Sequence, residues 1–383
     1  MTPQFSPDHI TATAMMDGFL QNPIRRYEAL RNYDFGVERR GNVSCLSPYI
    51  SHRVLSEYEV VAQTLSKHAL ADVEKYVQEV FWRVYWKGWL EHRPSVWDQF
   101  TSFDLNAVPE RVLHNAITGN TGIDCFDAWA KELVTTNYLH NHARMWFASI
   151  WIFTLGLPWQ LGARFFMEHL LDGDAASNTL GWRWVAGIQT KGKHYVARPD
   201  NIAKYTDYRF ETPALNEGAL PIDDMMEHPL GPIAGDAGRQ SNHLLVCDTD
   251  LYLRTPDDYA EYAQVYVLHL ETGDRALALS DNVMRFKSVL VDDFCTRCPG
   301  ARRVTGDDVR SLMNDMATLD VIYPFIGDNL DFLTKAAAKA GINLNMRKRQ
   351  QDLHCWQFAK KGFFNFKKNI PSIIETLELQ PFG

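Results

Sequence analysis

The spacing of apolar residues changes once along this chain, and the change divides it into two kinds of architecture. From about Pro7 to Phe210 apolar positions recur every three or four residues, in Val54–Leu70, Val73–Leu90, Cys125–Thr136 and Arg144–Leu155. That is the period of helices with one buried face. Ser56 and Asp72 stand where helix caps belong. Between Thr212 and Ser241 the period gives way to Pro, Gly, Asp and Glu, including HPLGPIAGDAGRQS, a linker composition. Beyond it, His243–Asp250, Ala263–Glu271, Asp320–Asp328 and Ile342–Met346 read as buried strands. Helical patterns at Asp281–Cys298, Asp307–Leu319 and Leu330–Ala340 lie between or after them. Strands alternating with helices predict a small, mostly parallel α/β domain. At 383 residues the chain is long enough for two domains, each with its own core. The expected division is helical over 1–210, linker over 211–241 and α/β over 242–383.

Composition narrows the function classes. Apolar residues at 46% and aromatics at 12% mark a folded globular protein. Eleven tryptophans exceed what packing alone needs, since each indole N–H wants a partner, and a cofactor or stacking role follows. The net charge of −8 does not favour nucleic acid, but residues 1–210 hold 21 Lys and Arg against 22 Asp and Glu. A local basic rim there could still meet phosphates. Six scattered cysteines with no secretory pattern ahead of them suit a reducing cytoplasm. The longest apolar run, Met145–Trp159, is too short and too interrupted to span a bilayer and reads as a buried helix. No GxGxxG or GxxxxGK[ST] follows the strands, so the α/β half shows no nucleotide motif.

The block from Asn120 to Tyr195 sets polar residues in an aromatic and apolar background. It contains TNYLHNHARMWFAS (Thr136–Ser149) and LPWQLGARFFMEHLLDGDAASNTLGWRW (Leu157–Trp184). Taken alone, Asp172-Gly173-Asp174 is a weak signal, because acid–Gly–acid turns are common on surfaces. Its apolar flanks place both acids toward an interior, and buried carboxylates need donors. Arg144 is a candidate partner for one of them and a ring N–H of a bound heterocycle for the other.

Together these segments resemble the flavin-binding core of the DNA photolyase and cryptochrome family, whose motifs read TGW-M-HNR-x-RM and DGD-LAANNGGW-x-W. Asn141, Arg144, Asp172, Asp174, Gly181, Trp182 and Trp184 match residue for residue. VSCLSPYI resembles the family's TS-x-LSPYL turn, which transfers Ser44, Leu46 and Ser47 to FAD phosphates, and hydroxyls at a helix start suit such binding. YEALR matches Tyr-x-x-x-Arg, transferring Tyr27 to the flavin site and Arg31 to a DNA phosphate. YVQEVFWRVYW resembles W-x-x-E-x-x-WREFY, which makes Glu79 the dimer-contacting acid, Trp82 a stacking aromatic and Arg83 a flavin contact. The likeness covers roughly Pro23 to Thr206. It implies a mainly helical FAD-binding domain plus a smaller Rossmann-like α/β domain. LLVCDTDLYLRTPDD and KKGFFNFKKNIPSII resemble the opening and closing segments of the family's antenna domain, here reduced and placed after the flavin domain. No residue matches an antenna-chromophore ligand, so that pigment stays unassigned.

The resemblance further implies light-driven electron transfer from reduced FAD to a cyclobutane pyrimidine dimer in DNA, with the electron returned after the ring splits. Photolyases are base-flipping enzymes, a standing example of that class. Glu79 would bond the 5′ base, Trp82 and Trp184 would wall the dimer, Asn141 would bridge flavin and substrate, and Met145 would fill the apolar floor. Trp182 and Trp159 match the first two members of the tryptophan relay. The third position holds Asn106, with Trp97 a substitute. Ser177 stands where the family has Asn near the flavin, Tyr138 replaces the Trp of TGW, Val84 the acid of WRE, and His142 an arginine that faces DNA. The other reading is a cryptochrome-like blue-light photoreceptor signalling through a protein partner. The expected partner is UV-damaged DNA, with no membrane and the chain acting as a monomer.

Three remaining features read as structural. Cys295-x-x-Cys298 is a single thiol pair without a second, so no metal or iron–sulfur cluster is expected. His52, His92 and His114 have no paired ligands. The tail Arg347–Lys368 interleaves seven Lys and Arg with Trp356 and four phenylalanines. It reads as a solvated face over a buried apolar side, and could touch DNA.

Overall fold

Apolar spacing at three and four residues produces the longest helix, Leu70–Glu91, whose buried side chains include Val73, Tyr76, Val77, Val80, Phe81, Val84 and Leu90. At 22 residues it runs about 33 Å. The computed structural model describes residues 5–104, 110–190, 192–211, 214–224 and 226–380. Around the long helix stand Glu57–Leu65, Asp124–Thr136, Asn141–Ser149, Trp159–His169 and Ala175–Ala186. Ser56 caps its helix by accepting from the Glu59 N–H at 3.0 Å. Asp72 does not cap the next one, because Ala69 occupies that position and Asp72 falls in the first turn. The expected Arg144–Leu155 helix is α-helical only to Ser149 and continues as a π-helical turn over Ile150–Thr154.

The second half holds five parallel strands: β1 (His243–Cys247), β2 (Gln264–Leu268), β3 (Ala301–Val304), β4 (Thr318–Ile322) and β5 (Asn343–Arg347). Their order, β3-β2-β1-β4-β5, is that of a doubly wound sheet. Strand β3 is absent from the sequence expectation because it is four residues at the sheet edge with Arg302 and Arg303 exposed. The expected Asp307–Leu319 helix ends at Asn314, leaving room for β4. Central strands are buried on both faces, as a covered parallel sheet requires. Leu244, Val246, Val265 and Val267 pack toward the helical half with Tyr49, Val54 and Phe81, in one shared core. Leu245, Tyr266 and Leu268 face Val309, Leu333 and Ala337 on the other side.

Charge also joins the halves. Arg53, with no exposed side-chain surface, donates to Glu57 at 2.9 Å, Asp352 at 2.6 Å and Asp250 at 3.2 Å. Open α/β sheets bind ligands where the strand order reverses, here between the ends of β1 and β4. In this chain His52, Lys87 and Trp97 of the helical half fill that crevice with Thr249, Arg275 and Asn329, leaving a void of ≈ 60 Å³. That is far below the roughly 300 Å³ at which small-molecule pockets begin. No helix among the described residues is long and apolar enough to cross a membrane.

Candidate functional site

A cavity of ≈ 700 Å³ opens between three helices and one turn. The Leu70–Glu91 helix contributes Glu79, Trp82, Arg83 and Trp86. The Asn141–Ser149 helix contributes Asn141, His142, Arg144 and Met145, and the Ala175–Ala186 helix contributes Ser177, Gly181, Trp182 and Trp184. The fourth wall is Ser44-Cys45-Leu46-Ser47, where Cys45 takes a left-handed φ of 53° and turns the chain into the short Ser47–Ser51 helix. Tyr27 and Arg31 complete the rim. Thus the residues singled out from the sequence for cofactor, substrate or electron transfer line this one cavity, except Asp174, Trp159 and Trp97, and Asn106, which lies outside the described residues.

Asp172 lies on the cavity wall with its side chain 1% exposed, and its Oδ2 takes a bond of 2.9 Å from Arg144. Burial pushes its carboxyl up, but Arg144 and Arg83 outweigh that and hold it below the ordinary carboxylate value. Arg144 is itself fixed by donating Nε–H to the Leu139 carbonyl at 2.9 Å. Asp174 turns away from the cavity. It accepts the Ser177 N–H at 2.7 Å as the cap of its helix, and it pairs with Arg83. Its placement is therefore that of a group that orients Arg83 on the wall.

Glu79 receives Arg31 at 2.7 Å. Burial raises its pKa, with Arg31 and Lys75 pulling the other way. A carboxyl raised in this way is closer to the protonated state in which it can donate a hydrogen bond. His142 is held by the Asn32 carbonyl at 2.8 Å and the Tyr195 hydroxyl at 3.1 Å, and stacks on Trp146 at 4.0 Å. Burial drops its pKa to about 4, so it is a neutral wall residue at pH 7 and brings no charge to a phosphate. Trp184 stacks on Tyr195 at 5.8 Å. One face of Trp82 is covered by Phe363 at 3.6 Å and 12°. Phe363, Phe364 and Lys367 on the cavity wall were not singled out as site residues. Their aromatic and basic composition was visible, but nothing in the spacing says which helix they meet.

Of the residues expected to form an electron relay, Trp182 has ring contacts with Phe166 at 5.0 Å and Trp151 at 6.1 Å. It lies over Gly162, where a Cβ would come within 2.2 Å of the indole, so that helix must carry glycine there. Trp159, one turn earlier on that helix, stacks on Phe100 at 5.7 Å, and Phe100 meets Trp97 at 5.6 Å. Trp97 is buried and donates to Asp331 at 2.9 Å. Asn106 lies outside the described residues.

Several buried polar atoms on this wall have no partner within the protein: Ser177 Oγ, the Trp182 indole nitrogen, His140 Nε2 and Asp172 Oδ1. Most buried polar groups in proteins find partners. Unpartnered atoms also occur elsewhere in this chain, but these four share one cavity wall, where a polar ligand would satisfy them together. At Gly181 nothing lies within 4 Å of where a Cβ would be, leaving a flat stretch of helix toward the cavity. A family model described as the FAD-binding domain of DNA photolyase matches residues 76–211. That stretch of the chain is similar to the flavin-binding domain of DNA photolyases.

Over 200 residues the chain is 28% identical to a deoxyribodipyrimidine photo-lyase of Vibrio cholerae, covering 50% of the chain and 42% of that relative. With the enzyme of the same name from Streptomyces griseus it shares 33% identity over 203 residues, covering 49% and 43%. A crystal structure of a bacterial class III photolyase from Agrobacterium tumefaciens aligns with a TM-score of 0.47 at 27% identity, over 53% of this chain and 44% of that one. The chain spans less than half the length of the curated relatives it matches. The photolyase cofactor is FAD, and the donor set fits it. Arg83, Arg144 and the hydroxyls of Ser44 and Ser47 suit phosphates, while Asp172 and Ser177 offer acceptors to a ring system. Among the described residues no group of three or more His, Cys, Asp or Glu converges as a metal site.

Proposed function

We propose that this chain is a light-driven, FAD-dependent enzyme that splits cyclobutane pyrimidine dimers in DNA by electron transfer from reduced flavin. The carrying observation is the convergence of Glu79, Asn141, Met145 and Trp184 with the flavin-site residues on one cavity. Bound FAD supplies the photochemistry and the electron. The residues bind, orient and exclude water, and no nucleophile or general base is needed. Asn141, exposed at the start of its helix, stands where it can reach both cofactor and substrate. Glu79 hydrogen-bonds the 5′ base and stabilises developing charge on it. Met145 and Trp184 supply the apolar surfaces a flipped base pair requires. This reading keeps the division into a helical flavin domain over 1–210, a linker over 211–241 and an antenna-like α/β domain over 242–383.

The stacking of Phe363 on Trp82 is the one feature that favours a photoreceptor acting through a protein partner, since it removes a substrate face. The other four substrate residues remain on the open wall, and repair is the better account. The test is loss of dimers from a thymine-dimer oligonucleotide under reductant and blue light. Glu79→Ala should cut that rate on the order of 10²-fold, the cost of removing one preorganised donor, while Glu79→Gln retains more. Wild-type protein that binds FAD yet leaves the dimer intact under every reductant would falsify repair.

Trp182→Phe should leave FAD bound and slow its photoreduction severalfold, followed by flavin absorbance under illumination. Unaltered kinetics would remove Trp182 from the relay and turn attention to other aromatics.

A further inference from the structure

Phe364 is 78% exposed, the one Phe or Trp among the described residues that is mostly in solvent. A single exposed apolar side chain needs no explanation by itself. Its surroundings supply three further observations. It stands at the mouth of the cavity beside Lys367. Its neighbours Phe363 and Phe366 are buried, the first stacked on Trp82 at 3.6 Å and the second against Tyr85 at 5.7 Å. The segment is thus anchored on the same helix that carries Glu79. Finally, Lys360, Lys361, Lys367 and Lys368 surround Phe364 in sequence, and no Asp or Glu occurs from Ala359 to Ser372. Lys360, Lys361 and Lys368 are exposed, and Lys367 is held at the rim by Glu74 at 3.6 Å.

Resting on the repair reading, we propose that Lys360–Lys368 is a nucleic-acid contact of this chain. Phe364 stacks on a base beside those drawn into the cavity, and the lysines meet flanking phosphates. An anchored aromatic face next to cationic side chains is the combination that holds unpaired bases without reading their sequence. The face of Trp82 taken by Phe363 is in effect replaced, nearer the entrance, by the free face of Phe364.

The test uses the full-length FAD-bound protein and fluorescence anisotropy with two labelled oligonucleotides, one carrying a thymine dimer and one undamaged. Phe364→Ala is expected to weaken binding of the dimer strand about tenfold, within the range for one lost base stack. FAD content and denaturation midpoint should be unchanged, because the side chain is exposed. The double variant Lys361→Ala/Lys368→Ala is expected to reduce the slope of log affinity against log salt by about 1.8 on duplex, for both oligonucleotides alike. Wild-type protein that binds and repairs the dimer while both variants behave identically to it overturns this contact and leaves the repair reading standing. Wild-type protein that binds FAD but no DNA overturns both. Binding of polyglutamate with no binding of either oligonucleotide would reassign the patch to an acidic protein partner.

Discussion

Arg53→Leu is expected to lower folding stability by about 5 kcal/mol, the upper end for breaking a buried ion pair. Arg53 is fully enclosed and meets three carboxylates: Glu57 from its own helical neighbourhood, Asp250 just after β1 and Asp352 near the C terminus. Glu57 would keep Lys87 at 2.9 Å and Asp250 would keep Arg349 at 2.7 Å. Asp352 would retain the Tyr58 hydroxyl at 2.9 Å but lose its ion pair with Arg53, leaving a buried charge without a cation among the described residues. Phe325, which lies over the guanidinium at 4.7 Å, would lose that contact as well. Against a typical total of roughly 5–15 kcal/mol, the loss is enough to leave much of the protein unfolded at 37 °C. The denaturant midpoint should fall accordingly, and Arg53→Leu/Asp352→Leu should recover part of it by removing the orphaned charge. A midpoint within error of wild type for Arg53→Leu would show that the network does not hold the two halves together.

The second large effect is expected at Asp172→Ala. The variant should purify without FAD and be destabilised by roughly 3 kcal/mol, the low end for such a pair because Arg144 is about one-fifth exposed. The carboxylate is the wall's buried negative group beside two arginines, so its removal leaves their positive charge facing the cavity unopposed. Its pKa is held below the ordinary value, so it stabilises the fold above that value. That contribution is present at pH 7 and fades only as pH falls through the depressed folded-state pKa. Wild type and variant should therefore differ in stability at neutral pH and converge in strong acid. Flavin absorbance per chain and denaturation followed from pH 7 downward check both parts. Asp172→Asn, which preserves volume and one acceptor, separates loss of charge from loss of packing.

Much of the site was legible because it is local. HNHARM fits onto one helix, with Asn141, Arg144 and Met145 all reaching the cavity. DGDAASNTLGWRW combines a capping acid with one helix, so Ser177, Gly181 and Trp184 follow at near-helical spacing. Caps are equally local, yet Asp72 shows their ambiguity: an acid in the first turn is favoured there by the helix dipole whether or not it caps. Strand β3 escaped because exposed edge arginines erase the apolar run that marks its neighbours. The Arg53–Asp352 pair joins residues 299 apart in sequence, and no periodicity carries such information. The same holds for Phe363 on Trp82, which depends on how the C-terminal turns return across the long helix. Trp159 illustrates the reverse case. Its motif match was clear, but it stacks toward Phe100 and lies off the cavity wall.

The most direct test of the account is whether the folded chain takes up FAD in this cavity. Purified protein, incubated with FAD and freed of excess, is expected to be yellow with stoichiometric flavin absorbance, and Asp172→Ala prepared alongside it should be colourless. A wild-type protein that is folded by circular dichroism yet stays colourless after reconstitution would contradict the assignment of the cavity and every function drawn from it.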